Sequence, residues 1–257
     1  MGIKKVRAKK HLGQHFLTDM DVASRIVSSL TNEKKSTVLE VGPGTGVLTQ
    51  FLLNKDYKLL LSEVDFESIE YLLTNFEVTK EHFVGDFLKI NLNELESEKI
   101  NIIGNFPYNI SSQIFFRILD ARDIVDECVG MLQKEVAQRL ASKEGSKAYG
   151  ILSVLLQTYY DVEYLFTVGP EVFDPPPKVH SGVIRVKRNN RKKLDIDEKH
   201  FKKIVKMAFS TRRKTLRNAL KPLDLSDEIR QQDVFSKRAE QLSVEQFIDL
   251  AKMLKDY

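Results

Sequence analysis

From about residue 36 the chain alternates between short apolar runs and longer stretches with helical spacing. TVLEV (37–41), KLLLSEV (58–64), HFVGD (82–86), INIIGN (100–105) and CVGMLQ (128–133) are nearly continuous in apolar character, as strands buried on both faces are. Between them VLTQFLL (47–53), FESIEYLLTNF (66–76) and SQIFFRIL (112–119) carry apolar residues at helical intervals. Strand and helix repeated in this way predict a parallel sheet with helices on both faces. A helix over 148–160 then leads to two late runs, VEYLFTV (162–168) and SGVIRV (181–186), which bring the predicted strands to seven. The connection between those two runs, GPEVFDPPPKV, holds three consecutive prolines that cannot enter a sheet ladder, so an antiparallel pair at one sheet edge is expected.

After Arg188 the pattern changes: NNRKKLDID is polar and basic, and EKHFKKIVKMAF, TRRKTLRNAL and SVEQFIDLAKML all have helical spacing. We therefore expect an α/β domain over 1–188, with a basic arm over 1–17, and a small all-helical domain over 189–257. A chain of 257 residues accommodates both.

Composition adds limits. With 42% hydrophobic and 30% charged residues the chain has the balance of a globular protein, and no apolar stretch reaches the roughly 20 residues of a spanning helix. The N-terminal MGIKKVRAKKHLGQHF lacks the apolar segment of a secretory signal, and the one cysteine, Cys128, lies in an apolar run. A cytoplasmic protein, monomeric and without a membrane, is the expectation. The net charge of +4 is modest, but KKVRAKK, RVKRNNRKK (185–193) and TRRKTLRNALK (211–221) contain no acidic residue. Each run alone suits a solvated surface; three together favour a polyanionic partner.

Ligands of open parallel sheets bind beyond the carboxyl ends of the strands, so the residues that end each run carry the chemistry. The first ends in E-V-G-P-G-T-G (40–46), whose glycines permit a tight turn and close approach to a ligand. Its glycine spacing departs from the dinucleotide fingerprint, which argues against a nicotinamide-dependent dehydrogenase. The second run ends in S-E-V-D, with Glu63 placed to accept from ribose hydroxyls; the third ends at Asp86, which can accept from an adenine amine. The fourth ends in N-F-P-Y, Asn105 to Tyr108. Each carboxylate by itself serves equally well as a helix cap, and N-F-P-Y by itself as a turn. In this order at consecutive strand ends, they point to S-adenosylmethionine. No His/Cys cluster has ligand spacing, so no metal is expected.

These motifs resemble the Rossmann-like, class I S-adenosylmethionine-dependent methyltransferases that modify the N6 amine of adenine. MLQKEVAQRL (131–140), SKAYGILSVLLQ (146–157), VFDPPPKVHSGVIR (172–185), RRKTLRNAL (212–220) and the opening GQHFL (13–17) resemble one group among them, the ribosomal RNA adenine dimethyltransferases of the kasugamycin-sensitivity type. The erythromycin-resistance methylases of large-subunit RNA share the N-terminal motifs. The resemblance implies dimethylation of the N6 amines of two adjacent adenines in a hairpin near the 3′ end of small-subunit ribosomal RNA, with a role in small-subunit biogenesis and a 30S-type particle as partner. It implies cofactor contacts from His15, Leu17, Gly42, Gly44, Glu63, Asp86 and Asn105, with His15 standing where asparagine is common.

For the chemistry, Asn105 and the Phe106 carbonyl would accept from the amine, Pro107 would hold that carbonyl, Tyr108 would stack on an extruded base, and Phe173 would form a second wall. Lys4, Lys5, Arg7, Lys9, Lys10, Arg188, Arg212, Arg213, Lys214 and Arg217 would hold RNA phosphates. The alternatives are a large-subunit adenine N6-methylase of the macrolide-resistance type and a mainly non-catalytic ribosome-assembly factor. A DNA adenine methyltransferase would need a target-recognition domain larger than the helical tail, so DNA is not an expected partner.

Overall fold

The structure is a computed structural model and describes residues 6–31, 36–95, 97–211 and 213–257. Its strands are β1 (Phe16–Leu17), β2 (Thr37–Val41), β3 (Lys58–Ser62), β4 (Ile100–Asn105), β5 (Val125–Gln133), β6 (Tyr160–Val168), β7 (Phe173–Asp174) and β8 (Ser181–Arg188). Six of them form one sheet in the order β3-β2-β4-β5-β8-β6, and β1 pairs with β7 in a separate ribbon. β2 runs parallel to β3 and β4, β4 parallel to β5, and β8 antiparallel to β5. The expected strand over 82–86 is reduced to a single parallel bridge, Phe83 to Leu61, beside β3. The late antiparallel element is there, with β8 inserted between β5 and β6.

The strands form where the apolar runs predict them because each can bury both faces. Every residue of β2 is buried, and so is all of β4 except Asn105, which ends the strand at the cleft described below. Helices α1 (Met20–Ser28), α2 (Thr49–Leu53), α3 (Phe66–Asn75) and α4 (Ser111–Asp120) belong to this part of the chain. Ile26, Leu52 and Leu72 join Val38, Leu61, Ile103 and Val129 in one apolar cluster. Asp19 and Asp65 start α1 and α3 by accepting from Val22 N and Glu67 N.

The chain divides into two units, Met1–Ala137 with Asp161–Arg188, and Gln138–Tyr160 with Asn189–Tyr257. A single cut near 189 is thus not the division observed: the hairpin of α5 (Lys134–Ala141) and α6 (Ile151–Tyr159) has most of its length in the second unit. Within that unit Gln157 Nε2 donates to the carbonyls of Leu140 and Ser142, and Tyr149 meets Phe209 edge-on. Its other helices are α7 (Glu198–Ala208), α8 (Leu216–Ala219), α9 (Asp227–Arg230) and α10 (Val244–Met253). The helix expected over TRRKTLRNAL begins only at Leu216, because Thr215 bridges Arg238 and Leu216 N donates to Lys237 O. Among the described residues no helix is long and apolar enough to cross a membrane.

Candidate active site

A cleft opens at the carboxyl ends of β2, β3 and β4 and gathers Gly42, Gly44, Glu63, Asp86, Asn105, Phe106, Pro107 and Tyr108 along its walls. Residues 12–16 of the N-terminal arm close its other side. Gly42 sits at φ +70°, a left-handed conformation that costs an L side chain roughly 1–2 kcal/mol. A Cβ there would stand 3.9 Å from Asn105 O and from Pro107 Cδ, between the turn and the N-F-P-Y loop. Glycine keeps that space open.

Glu63 is buried and ties the turn to the end of β3. Its Oε2 accepts from Gly44 N at 3.1 Å, and its Oε1 accepts from Val64 N at 2.8 Å and Asp65 N at 2.9 Å. Burial pushes the Glu63 carboxyl up, against the lowering pull of these three amides. A carboxylate offers roughly four lone-pair sites, so one acceptor position is left for a ligand hydroxyl. Beneath it Glu40 is fully buried in β2 and accepts from Thr49 Oγ1 at 2.7 Å. Burial pushes the Glu40 carboxyl up to about 8, the Thr49 bond lowers it and the Glu63 charge raises it. Asp86 accepts from Leu88 N at 2.9 Å and pairs with Lys89 at 3.3 Å, so it shapes its own turn while facing the cleft.

The N-F-P-Y loop is built from the inside out. Phe106 is 1% exposed, lies edge-on to Phe115 at 6.0 Å, and donates its N–H to Met131 O at 2.9 Å. Asn105 Nδ2 donates to His15 O at 2.8 Å. A carbonyl can only accept, so this contact fixes the amide's orientation and leaves Oδ1 as the group offered to a ligand. Tyr108 shares a 2.6 Å hydrogen bond with Ser181 Oγ. Burial pushes its phenol up and the Ser181 bond lowers it, for a net rise, so it stays neutral at physiological pH.

Several expected residues go elsewhere. Leu17 and Phe173 are cross-strand partners in the β1–β7 ribbon, 3% and 4% exposed, and both belong to the apolar cluster. The side chain of Phe173 is therefore core packing and not a wall of the cleft, and Leu17 contributes no side chain to it. Lys9 is spent on Asp65, with Glu67 at 3.6 Å, and is not a free phosphate ligand. Gln14 Nε2 joins that cluster, donating to Asp65 Oδ2 at 3.2 Å. Arg188 is half-buried and donates from Nε to Arg122 O. Arg7, Lys10, Arg213, Lys214 and Arg217 are exposed, and Lys4, Lys5 and Arg212 lie outside the described residues.

Sequence patterns passed over Gln14, Asp65 and Ser181, and read Lys9 for a different partner. Asp65 had a local signal, the D-F-E-S start of α3, which marks a helix cap. The partners it collects across more than 50 positions have none. His15, expected as a cofactor contact, lines the cleft but also stacks on Tyr108, with ring centroids 5.5 Å apart and 29° between planes. Among the described residues no group of three or more His, Cys, Asp or Glu could hold a metal ion.

Residues 5–256 match the family described as ribosomal RNA adenine dimethylase. The chain is 56% identical over 255 residues to the ribosomal RNA small subunit methyltransferase A of Cytophaga hutchinsonii, covering 98% of this chain and 99% of that protein. It is 56% identical over 249 residues to the protein of the same name from Parabacteroides distasonis, covering 95% and 93%. A dimethyladenosine transferase from Plasmodium falciparum has a TM-score of 0.78 at 22% identity, over 94% of this chain and 98% of that one. The 23S rRNA methyltransferase ErmE has a TM-score of 0.68 at 21% identity, over 93% and 99%. At those identities the two solved structures establish a shared fold, the Rossmann-like methyltransferase fold that the motifs imply.

Proposed function

This chain belongs to the ribosomal RNA adenine dimethylase family, and from that membership we propose that it dimethylates the N6 amines of two adjacent adenines in a hairpin loop near the 3′ end of small-subunit ribosomal RNA. The choice of the small subunit is supported by relatives at 50–56% identity that carry the small-subunit name. It acts as a cytoplasmic monomer on a 30S-type pre-ribosomal particle and serves small-subunit biogenesis.

The cofactor is S-adenosylmethionine, and the residues present fit it. The space in front of Gly42 is one that a Cβ would invade, Glu63 keeps an acceptor position for a ribose hydroxyl, and Asp86 faces the cleft with a carboxylate for an adenine amine. When bound, this cofactor supplies a sulfonium methyl that is already electrophilic, with a neutral thioether as leaving group. The chain's own task is to ready the amine, whose lone pair is delocalised into the adenine ring.

One observation carries this reading: the Asn105 amide is held by the His15 carbonyl with Oδ1 left to accept. An acceptor fixed before the base arrives needs no reorganisation during transfer, and it favours the pyramidal, nucleophilic amine. The Phe106 carbonyl is the second acceptor, held by a buried ring on one side and by Pro107 on the other. Tyr108 supplies an aromatic face for the extruded base, a contact of roughly 1–3 kcal/mol. The proton leaves N6 for water after transfer, so no side chain has to serve as general base. In the second unit the exposed Arg213, Lys214 and Arg217 supply sequence-independent phosphate contacts.

The test is incubation of unmethylated small subunits with methyl-labelled cofactor. Label is expected at two adjacent adenines as N6,N6-dimethyladenine, and Asn105→Ala is expected to lower the rate about 10²–10³-fold, the usual cost of one preorganised donor or acceptor. Label confined to large-subunit RNA would overturn the substrate.

A further inference from the structure

Phe16 and Leu17 pair antiparallel with Asp174 and Phe173. The next residues outward on that register are His15 and Pro175. A proline has no N–H to return, so the backbone ladder cannot continue through it. A side chain takes over: His15 Nδ1 lies 2.7 Å from Pro175 O. The carbonyl can only accept, so Nδ1 carries the hydrogen in this contact. The same imidazole stacks on Tyr108 at 5.5 Å, and the backbone carbonyl of His15 holds Asn105 Nδ2. One residue therefore touches the D-P-P-P segment, the stacking tyrosine and the amine acceptor. The far side of the phenol is tied separately, to Ser181.

We propose that His15 is a positioning residue for the target base, occupying one face of Tyr108 and bracing it through Pro175 so that the ring's other face receives the adenine in line with Asn105. This rests on the reading of the N-F-P-Y loop as the adenine site. It goes beyond a cofactor contact, because Nδ1 is committed to Pro175 and the ring plane to Tyr108, which leaves only Nε2 for a cofactor. His15 acts through its neighbours and need not touch the reacting atoms. The imidazole at position 15 covers one face of the Tyr108 ring.

The test compares His15→Ala and His15→Phe with the native enzyme on unmethylated small subunits, alongside calorimetric binding of S-adenosylhomocysteine. His15→Ala is expected to lower kcat by roughly ten- to a hundredfold, the cost of a misplaced reactant. Its affinity for S-adenosylhomocysteine should fall far less than kcat does, the signature of base positioning beyond a cofactor contact. His15→Phe keeps the stack but loses the Pro175 hydrogen bond, so its kcat should fall between those of His15→Ala and the native enzyme. Equal losses in kcat and cofactor affinity, or a Phe variant as slow as the Ala variant, would overturn the proposal. An inactive native enzyme removes both the substrate and this inference, whereas a His15→Ala enzyme as fast as an active native one removes this inference alone. A second measurement needs no variant enzyme to turn over: nitrogen-15 histidine spectra of the native protein at about pH 8, above the ordinary imidazole range. The His15 signal, assigned by its loss in His15→Phe, should be that of the Nδ1–H tautomer. An Nε2–H tautomer contradicts the Pro175 contact and the proposal with it.

Discussion

Phe106 lays its ring across Gly130 so closely that a Cβ at that position would fall 2.3 Å from Phe106 Cε2. Gly130 faces Gly104 across the β4–β5 pair, and a Cβ at 104 would lie 2.9 Å from Phe106 Cε1 and 2.4 Å from Val41 O. Two glycines on adjacent strands thus form a slot that the aromatic fills. The slot is why a loop residue can be buried, and burial is what seats the backbone on either side of it.

Gly130→Ala should overfill this slot. Overpacking of a tight core costs about 1–3 kcal/mol, to be read as a lower midpoint in denaturant melts with an unchanged slope. Combining it with Phe106→Leu, which withdraws the ring edge, should cost less than the sum of the two single changes. Additive losses would mean that the glycine is needed for something other than the ring.

Gly42→Ala should act on the ligand more than on the fold. The left-handed backbone sets a cost of roughly 1–2 kcal/mol in stability. The added methyl also stands between the turn and Pro107, where the proposed cofactor would approach the backbone. Calorimetry with S-adenosylhomocysteine should show at least about tenfold weaker binding, which is about 1.4 kcal/mol. Native affinity in a folded variant would place the cofactor elsewhere.

The Lys9–Asp65 pair should make stability depend on pH in a defined window. Burial alone would raise the Asp65 carboxyl, but hydrogen bonds from Lys9 and Gln14 and from the Glu67 amide outweigh it and leave it lowered. Its contribution is therefore present above the unfolded carboxylate range and lost as pH falls through the folded value. Lys9 is raised, first by its hydrogen bond to Asp65, so the pair's contribution is also lost as pH climbs through that raised value. Lys9→Met should have a lower Tm than the native chain at pH 7, with the gap closing in strong acid. A gap that persisted after Asp65 is protonated would point to packing by the lysine stem.

Reversing the exposed charges Arg213, Lys214 and Arg217 to glutamate should weaken RNA binding and flatten its salt dependence. Each lost phosphate contact should reduce the slope of log K against log salt by roughly 0.7–0.9, the range between single strands and duplex DNA. Affinity for S-adenosylhomocysteine should be unchanged. Filter binding over a salt series would show an unaltered slope if these residues only solvate the surface.

The strand ends at Gly42, Glu63, Asp86 and Asn105 were legible because each lies at a change in local pattern, from an apolar run to a turn. Phe173 and Lys9, whose side chains the structure uses differently from the local reading, lie where a local signal has two readings. An aromatic beside prolines can line a mouth or plug a core, and a lysine in a basic run can meet phosphate or a carboxylate. At Phe173 the β1–β7 pairing decided, by setting it opposite Leu17 and burying both. At Lys9 the partner is 56 residues away and begins another helix.

By itself, then, the sequence determined the alternation of strand and helix, the order of polar groups along the sheet's edge, and the family that carries them. The first two follow from nearest neighbours and from periods of two and 3.6 residues, which a chain displays before it folds, and the family follows from the resemblance of its motifs. Only the tertiary structure decided that the Asn105 amide is tied to the His15 carbonyl, that the Phe106 ring is buried in a slot between two glycines, and that the His15 ring stacks on Tyr108. Hydrogen bonds and ring stacks of this kind join residues up to 160 positions apart. They exist only once the sheet register and the arm's path have brought both partners within a few ångströms, and no local pattern encodes that distance.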